Sequence, residues 1–309
     1  MSLPLKLIFG SSHRALAKDL AGELRVALEV AEIGAFADGE VRVHIGADLR
    51  DQVVAIVQPT CPPVNEHLMT LSLVADAARA AGAAHVIAIV PYFGYARQEQ
   101  RGRVGEARSA QVAARLLAAV GVDHLVTLDL HAPALESAFP MPATLLQADE
   151  LFLPEVRNWA ISNLIVVSPD AGGLKRAQRY ALALSAPLAV IAKHRPSADT
   201  AVAIQVLGEV RSRTCLIVDD MASTGRTLAA AADALMQEGA REVHAVFTHA
   251  VMAPGAMETL SAAPLSRLLT SDSVPIAACA GLEIVRTAPL LAAGLRKLFP
   301  HMTSPTQDY

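Results

Sequence analysis

Apolar runs of strand length alternate with Ala- and Leu-rich segments of helical period along the whole chain, and no low-complexity stretch interrupts them. That repeated switch of period is the pattern of a doubly wound α/β protein, in which helices cover both faces of a mainly parallel sheet. The composition agrees. Hydrophobic residues make up 53% of the chain and aromatics only 4%, so the apolar content is mainly Ala, Leu and Val, as expected for helices packed on a buried parallel sheet. The apolar excess also points to contacts between subunits. At 309 residues, one long domain or two of ordinary size would fit.

Lys6 to Phe9 reads as the first strand, with Ser12 as the cap of a helix on which Leu16, Leu20, Leu24 and Leu28 share a face. Val53 to Val57 is the next clear strand. Asn65 is placed to cap a helix with a buried stripe of Leu68, Leu71, Val74 and Ala78, ending at Gly82. A unit of helix, glycine, strand and polar turn then recurs as Gly82 to Tyr92, Gly121 to His131 and Gly239 to His249. It is either common α/β grammar or the trace of a duplication. Two copies fall early and one late, so two similar domains are expected. They cover 1–145 and 146–309, with a boundary in Ala143 to Asp149 after Pro140 and Pro142, and the last helix is free to pack back on the first domain.

A net charge of −4 argues against a nucleic-acid partner bound by bulk electrostatics. Cys61, Cys215 and Cys279 lie far apart without metal-site spacing, which fits reduced thiols in a cytoplasmic protein. No segment reads as a secretory signal or a membrane span.

The segment richest in chemistry is Cys215 to Thr227, CLIVDDMASTGRT: an apolar strand, two acids, then a small-residue loop opening the helix Leu228 to Gln237. Phosphate there would meet backbone N–H groups at a helix N-terminus and the hydroxyls of Ser223, Thr224 and Thr227, with Gly225 allowing close approach. Asp219 and Asp220 suit the vicinal hydroxyls of a ribose, each accepting charge-assisted hydrogen bonds. The plainer alternative is a helix start at which Asp220 or Ser223 merely caps, but two acids and a Thr-Gly-x-Thr loop exceed what a cap needs.

Other segments admit two readings on their own. Pro91 to Arg108, with Arg97, Gln98, Arg101, Arg103 and Arg108, suits a mobile polyphosphate-binding loop or a solvated surface loop. Phe36 to Glu40 reads as a Gly-containing turn between strands. His131 suits a buried, satisfied histidine, and Asp170, within SPDAGG, an Asx cap. Lys193 and Arg195, one residue apart on an extended segment, share a side and would reach one polyphosphate, or else form a charged loop edge. The polar stretch Pro196 to Thr200 beyond them reads as a flap.

The loop at Asp219 to Thr227 resembles the phosphoribosyl-binding motif of the type I phosphoribosyltransferase fold. FGSSHRALA, FADGEVRVHI, PYFGYARQEQR, LDLHAP, VVSPDAGG and AKHRP follow in an order that resembles the ribose-phosphate pyrophosphokinase family almost from end to end. The resemblance implies two type I phosphoribosyltransferase-like domains, the first carrying the ATP loop and the second binding ribose 5-phosphate. It implies transfer of the β,γ-pyrophosphoryl group of Mg-ATP to the C1 hydroxyl of that sugar, with Mg²⁺ as cofactor. It places Arg97, Gln98, Arg101 and His131 at ATP, and Phe36, Asp38 and Glu40 at the nucleotide site of a neighbouring subunit. The active site is then shared within a homo-oligomer, dimer-based and up to a hexamer. His131 and Asp170 touch the metal. Asp170, Asp219, Asp220, Ser223, Thr224, Gly225, Arg226 and Thr227 hold ribose 5-phosphate, and Lys193 and Arg195 are catalytic. At Ser223 and Arg226, where many members carry an acid and a glycine, the loop is closer to ordinary phosphoribosyltransferases. The rival functions are a phosphoribosyltransferase that consumes the product and a non-catalytic regulatory homologue.

Overall fold

A computed structural model describes residues 4–194 and 203–300, and the chain divides into two α/β units. The first takes the described residues up to Gln147, Ser273–Pro275, and those from Thr287 onward; the second takes Ala148–Asp272 and Ile276–Arg286. Among the described residues no helix is long and apolar enough to cross a membrane.

The first unit opens with β1 (Leu5–Phe9), α1 (Arg14–Leu24), β2 (Leu28–Val30) and a separate antiparallel hairpin of β3 (Glu32–Ala35) and β4 (Val41–His44). It continues through β5 (Val53–Val57), α2 (Val64–Ala80), β6 (His85–Val90), α3 (Ser109–Ala119), β7 (His124–Leu128) and β8 (Ala143–Leu146). The central sheet is parallel, in the order β2-β1-β5-β6-β7-β8. Successive side chains of a strand point to opposite faces, and both faces here are covered. Val53, Ala55 and Val57 join Leu16 and Leu20 of α1 and Leu291 and Leu295 of the C-terminal helix Ala288–Leu298. Val54 and Ile56 join Leu71 and Val74 of α2 and Ala114 and Leu117 of α3. This double burial explains why VVAIV carries no polar alternation.

Because Leu291 is fully buried in that core, Leu291→Ala is expected to cost about 2–5 kcal/mol, read as a lower denaturant midpoint. An unchanged midpoint would show that the C-terminal helix is not integral to the unit.

Three local expectations are corrected. Helix α1 stops at Leu24 because Arg25 turns left-handed (φ 57°), so Leu28 lies on β2 and not on the helix face. Its cap is His13, whose Nδ1 accepts the Leu16 N–H at 3.2 Å, while the Ser12 hydroxyl donates to the Pro59 carbonyl at 2.8 Å. Asn65 lies within the first turn of α2, where its Oδ1 accepts the Tyr95 hydroxyl and does not cap the helix. Gly82, Gly121 and Gly239, expected as helix-ending residues, all have positive φ.

The second unit runs α4 (Asp149–Asn158), β9 (Leu164–Ser168), α5 (Leu174–Ala183), β10 (Leu188–His194), β11 (Ala203–Leu207), β12 (Thr214–Ala222), α6 (Arg226–Gln237), β13 (Glu242–Ala250), α7 (Ala256–Ala262), β14 (Arg267–Ser271) and β15 (Leu282–Val285). Its sheet order is β11-β10-β9-β12-β13-β14-β15, and among the described residues β11 alone is antiparallel to its neighbour. Cys215 and Ile217 of β12 bury against Leu228, Ala231 and Leu235 of α6, while α5 packs on β9 and β12. From β9 the chain goes to β10 on one side and to β12 on the other. Open α/β sheets bind ligands at such a reversal, outside the carboxyl ends of the two strands. The loops after β9 and β12 are therefore the ones positioned for a ligand.

Candidate active site

Strand β12 carries its apolar run up to Val218 and ends in Asp219 and Asp220, both nearly buried. The Asp220 N–H donates to Asp219 Oδ1 at 2.9 Å. Arg176, from the first turn of α5, brings Nη1 to 3.9 Å from Asp219 Oδ1 and 3.8 Å from Asp220 Oδ1. Burial, followed by the neighbouring charge of Asp220 and a side-chain hydrogen bond with it, raises the pKa of Asp219 well above the usual carboxylate range; Arg176 and the Asp220 N–H pull the other way. Burial prevails.

Ser223 to Gly225 form the turn into α6, with Ser223 and Thr227 half-buried and Thr224 and Arg226 exposed. The N-cap position of this helix is Gly225, so neither Asp220 nor Ser223 stands at the cap. The turn is held from behind: the Met252 N–H donates to the Ala222 carbonyl (3.1 Å) and the Ala253 N–H to that of Ser223 (2.8 Å). Gly225, with φ 74°, leans on α7, where an added Cβ would meet Leu260 Cγ at 2.9 Å and the Ala256 carbonyl oxygen at 3.0 Å. The glycine is thus required by backbone conformation and by helix packing, independently of any ligand. Gly225→Ala should cost about 1–3 kcal/mol of stability in chemical denaturation; a cost near zero would mean the turn relaxes freely.

On the other side of the reversal, Asp170 turns the chain from β9 into α5. Its Oδ1 accepts the Gly173 N–H at 2.9 Å, and the Ser168 hydroxyl donates to the Asp170 carbonyl at 2.7 Å. The Asx role is realised, with the half-buried carboxylate at the same sheet edge as the acid pair. Val190 of β10 pairs with Ser168, so β10 runs on past the end of β9 before Lys193, whose backbone pairs with Ile204 of β11. Arg195 and Pro196 to Thr200 lie outside the described residues.

In the first unit the corresponding reversal falls between β1 and β5. There the buried Gln58 fills the turn after β1 with its own Oε1, which accepts the N–H groups of Ser11 (2.6 Å) and Ser12 (3.1 Å). The polar residues of this unit gather further along the same edge, after β6 and β7. Arg97, Gln98, Arg101, Arg103 and Arg108 are exposed, and Gln98 Oε1 accepts the Ser109 hydroxyl at 2.7 Å. Glu106 Oε2 accepts the Gly102 and Arg103 N–H groups at 2.7 and 3.0 Å, closing the loop on itself. A cavity of about 440 Å³ lies between Arg101, Arg108 and Gln111 on this loop and helix and the 3₁₀ helix Pro133–Ala138. His131 follows β7 and is exposed, so it is not the buried histidine its neighbours in sequence allowed. Phe36, Asp38 and Glu40 occupy the exposed tip between β3 and β4, where Glu40 N–H donates to Asp38 Oδ1 (3.1 Å) and Arg42 lies 5.8 Å from the Phe36 ring centroid.

Arg176 and Gln58 stand outside the motifs that mark the site in the sequence. For Arg176 a signal existed, a cation in the first turn of a helix, where the helix dipole disfavours it. For Gln58 there was none, because its partners belong to the distant β1 turn.

The chain matches two family models, one described as the N-terminal domain of ribose phosphate pyrophosphokinase over residues 5–121 and one as the phosphoribosyl transferase domain over 138–262. It is 40% identical over 294 residues to a ribose-phosphate pyrophosphokinase of Bordetella parapertussis, covering 94% of this chain and 95% of that one. A relative of the same name from Caldanaerobacter subterraneus subsp. tengcongensis is 35% identical, covering 97% and 96%. Among solved structures, phosphoribosylpyrophosphate synthetase from Mycobacterium smegmatis superposes with a TM-score of 0.89 at 32% identity, covering 96% of this chain and 99% of that one. With both domains matched and nearly the full length shared at this identity, the chain belongs to the ribose-phosphate pyrophosphokinase family of enzymes.

Proposed function

We propose that this enzyme transfers the β,γ-pyrophosphoryl group of Mg-ATP to the C1 hydroxyl of ribose 5-phosphate, giving 5-phosphoribosyl 1-pyrophosphate and AMP. The observation that carries this is the second unit's sheet edge. Two nearly buried carboxylates end β12 beside a hydroxyl-bearing turn that opens a helix with glycine at its N-cap, at the reversal of strand order. Carboxylates there accept the ribose 2- and 3-hydroxyls, and the N–H groups of Ser223 to Thr227 receive the 5-phosphate. In the first unit the turn after β1 is filled by Gln58, and the arginines after β6 with His131 after β7 supply the cations and polar groups for a nucleotide. Phe36, Asp38 and Glu40, on an exposed hairpin, serve the nucleotide of a neighbouring subunit, which makes the working form a homo-oligomer.

The donors suit Mg²⁺. In the second unit Asp170 offers a carboxylate, and separately in the first unit His131 offers an exposed ring; no three His, Cys, Asp or Glu side chains cluster as a ready-made metal site among the described residues. Mg²⁺ typically keeps waters and takes one or two protein groups beside substrate phosphates, where it neutralises developing charge. Lys193 and Arg195 stabilise the charge that builds on the transferred β-phosphoryl group as the C1 oxygen attacks and AMP leaves.

Phosphorus NMR of the purified chain with Mg-ATP, ribose 5-phosphate and inorganic phosphate tests the reaction. Equal growth of AMP and of a C1 pyrophosphoryl ester is expected; neither product at high enzyme concentration would remove the proposal.

A further inference from the structure

We infer that Arg176 is a positioning residue for the acceptor sugar: it bridges the two loops at the strand reversal and holds Asp219 and Asp220 in the arrangement that takes the ribose hydroxyls. This deepens the proposed function and rests on it. Three observations carry it. Arg176 is the third residue of α5, following Gly173, Leu174 and Lys175, and a cation in a first turn opposes the helix dipole. Local helix energetics therefore do not account for arginine at this position. Its side chain is only 11% exposed, and a guanidinium so far removed from water needs carboxylates to compensate its lost hydration. The same Nη1 then lies within 4 Å of both acids, which are themselves 11% and 6% exposed along their side chains.

The position also joins the two halves of the crevice. Gly173 ends the Asp170 turn, and a Cβ built there would sit 3.8 Å from Arg176 Nη1 and 3.7 Å from Asp170 Oδ1. The guanidinium thus stands between the turn after β9 and the acid pair at the end of β12. Adjacent buried carboxylates repel one another, and one cation facing both relieves the repulsion without occupying a place on the strand. Removing it should leave the acids splayed or protonated, and the sugar should lose its hydroxyl acceptors. Arg176 need not touch the sugar to have this effect.

The test is calorimetric binding of ribose 5-phosphate and of Mg-ATP to the full chain and to Arg176→Lys and Arg176→Met, with a thermal-unfolding cycle against Asp219→Asn. Truncating one partner of a buried charge pair is expected to weaken ribose 5-phosphate about 30-fold or more in Arg176→Met, with a smaller loss in Arg176→Lys. The Kd for Mg-ATP should stay within about twofold in both. Arg176→Met should also lower the thermal midpoint of the wild type by clearly more than that of Asp219→Asn. Arg176→Gln replaces Arg176→Met in the same measurements if the latter does not fold. Unchanged ribose 5-phosphate binding, equal losses for sugar and nucleotide, or additive effects on the midpoint would overturn the inference. A wild-type chain that binds no ribose 5-phosphate would instead overturn the proposed function, and the inference with it.

Discussion

Alanine at Lys193 is expected to lower kcat about 10³-fold while changing the Kd for Mg-ATP by less than about threefold. The asymmetry follows from where charge appears. Pyrophosphoryl transfer spreads negative charge over the equatorial oxygens of the β-phosphorus only as the bond to AMP breaks. A cation aimed there gains most of its interaction in the transition state, and such gains raise kcat without tightening substrate binding. Lys193 lies next to the end of β10, beyond the point where β9 stops, on the sheet edge that carries Asp170 and the acid pair. Single-turnover formation of AMP, set beside equilibrium nucleotide binding, measures the two quantities separately. Proportional losses in both would mean that Lys193 simply binds ATP, and the assignment would fail.

The second large effect is on stability and has the opposite sign from the loss of function that accompanies it. Asp219→Asn should stabilise the ligand-free chain at neutral pH by about 0.5–2 kcal/mol and weaken ribose 5-phosphate by about 10- to 100-fold. Asn keeps an oxygen for the Asp220 N–H and offers its amide to the Asp220 carboxylate, much as protonated Asp219 would. The pH dependence has a fixed direction. Burial raises the folded-state pKa of Asp219 above its ordinary 3.8, so between the two values the folded chain holds a proton that the unfolded chain has released. Stability from this group is complete below the unfolded value and falls as pH rises through the folded one. The variant's advantage in thermal midpoint should therefore be absent near the ordinary carboxylate value and grow with increasing pH. Parallel pH profiles, or a less stable variant at neutral pH, would contradict the assignment of a strained, buried carboxylate. On the proposed function, the sugar's hydroxyls relieve that strain.

Much of the architecture was legible in the residue pattern because the signals are local. VVAIV reads as a doubly covered strand from its own five residues, and the helix-ending glycines at 82, 121 and 239 announce themselves by the apolar runs on either side. Helix starts were less legible, since a cap depends on where the chain arrives from. Ser12 and Asn65 had suitable side chains, but Pro59 and Tyr95, both brought in from elsewhere, claimed them. Leu28 kept the four-residue spacing of α1 only in sequence, because a left-handed Arg25 ends the helix before it.

At the candidate site the sequence alone determined the adjacent acids, the hydroxyl turn and the glycine before α6, all of which lie within one short segment whose chemistry is carried by neighbouring residues. Only the tertiary structure decided that Arg176 faces those acids, that Gln58 fills the matching turn of the first unit, and that the C-terminal helix returns to the first unit's core. Each of these pairings joins segments far apart in the chain. They depend on strand order and on which sheet face a helix covers, and a burial energy that selects among such arrangements leaves no periodic mark on the residues it brings together.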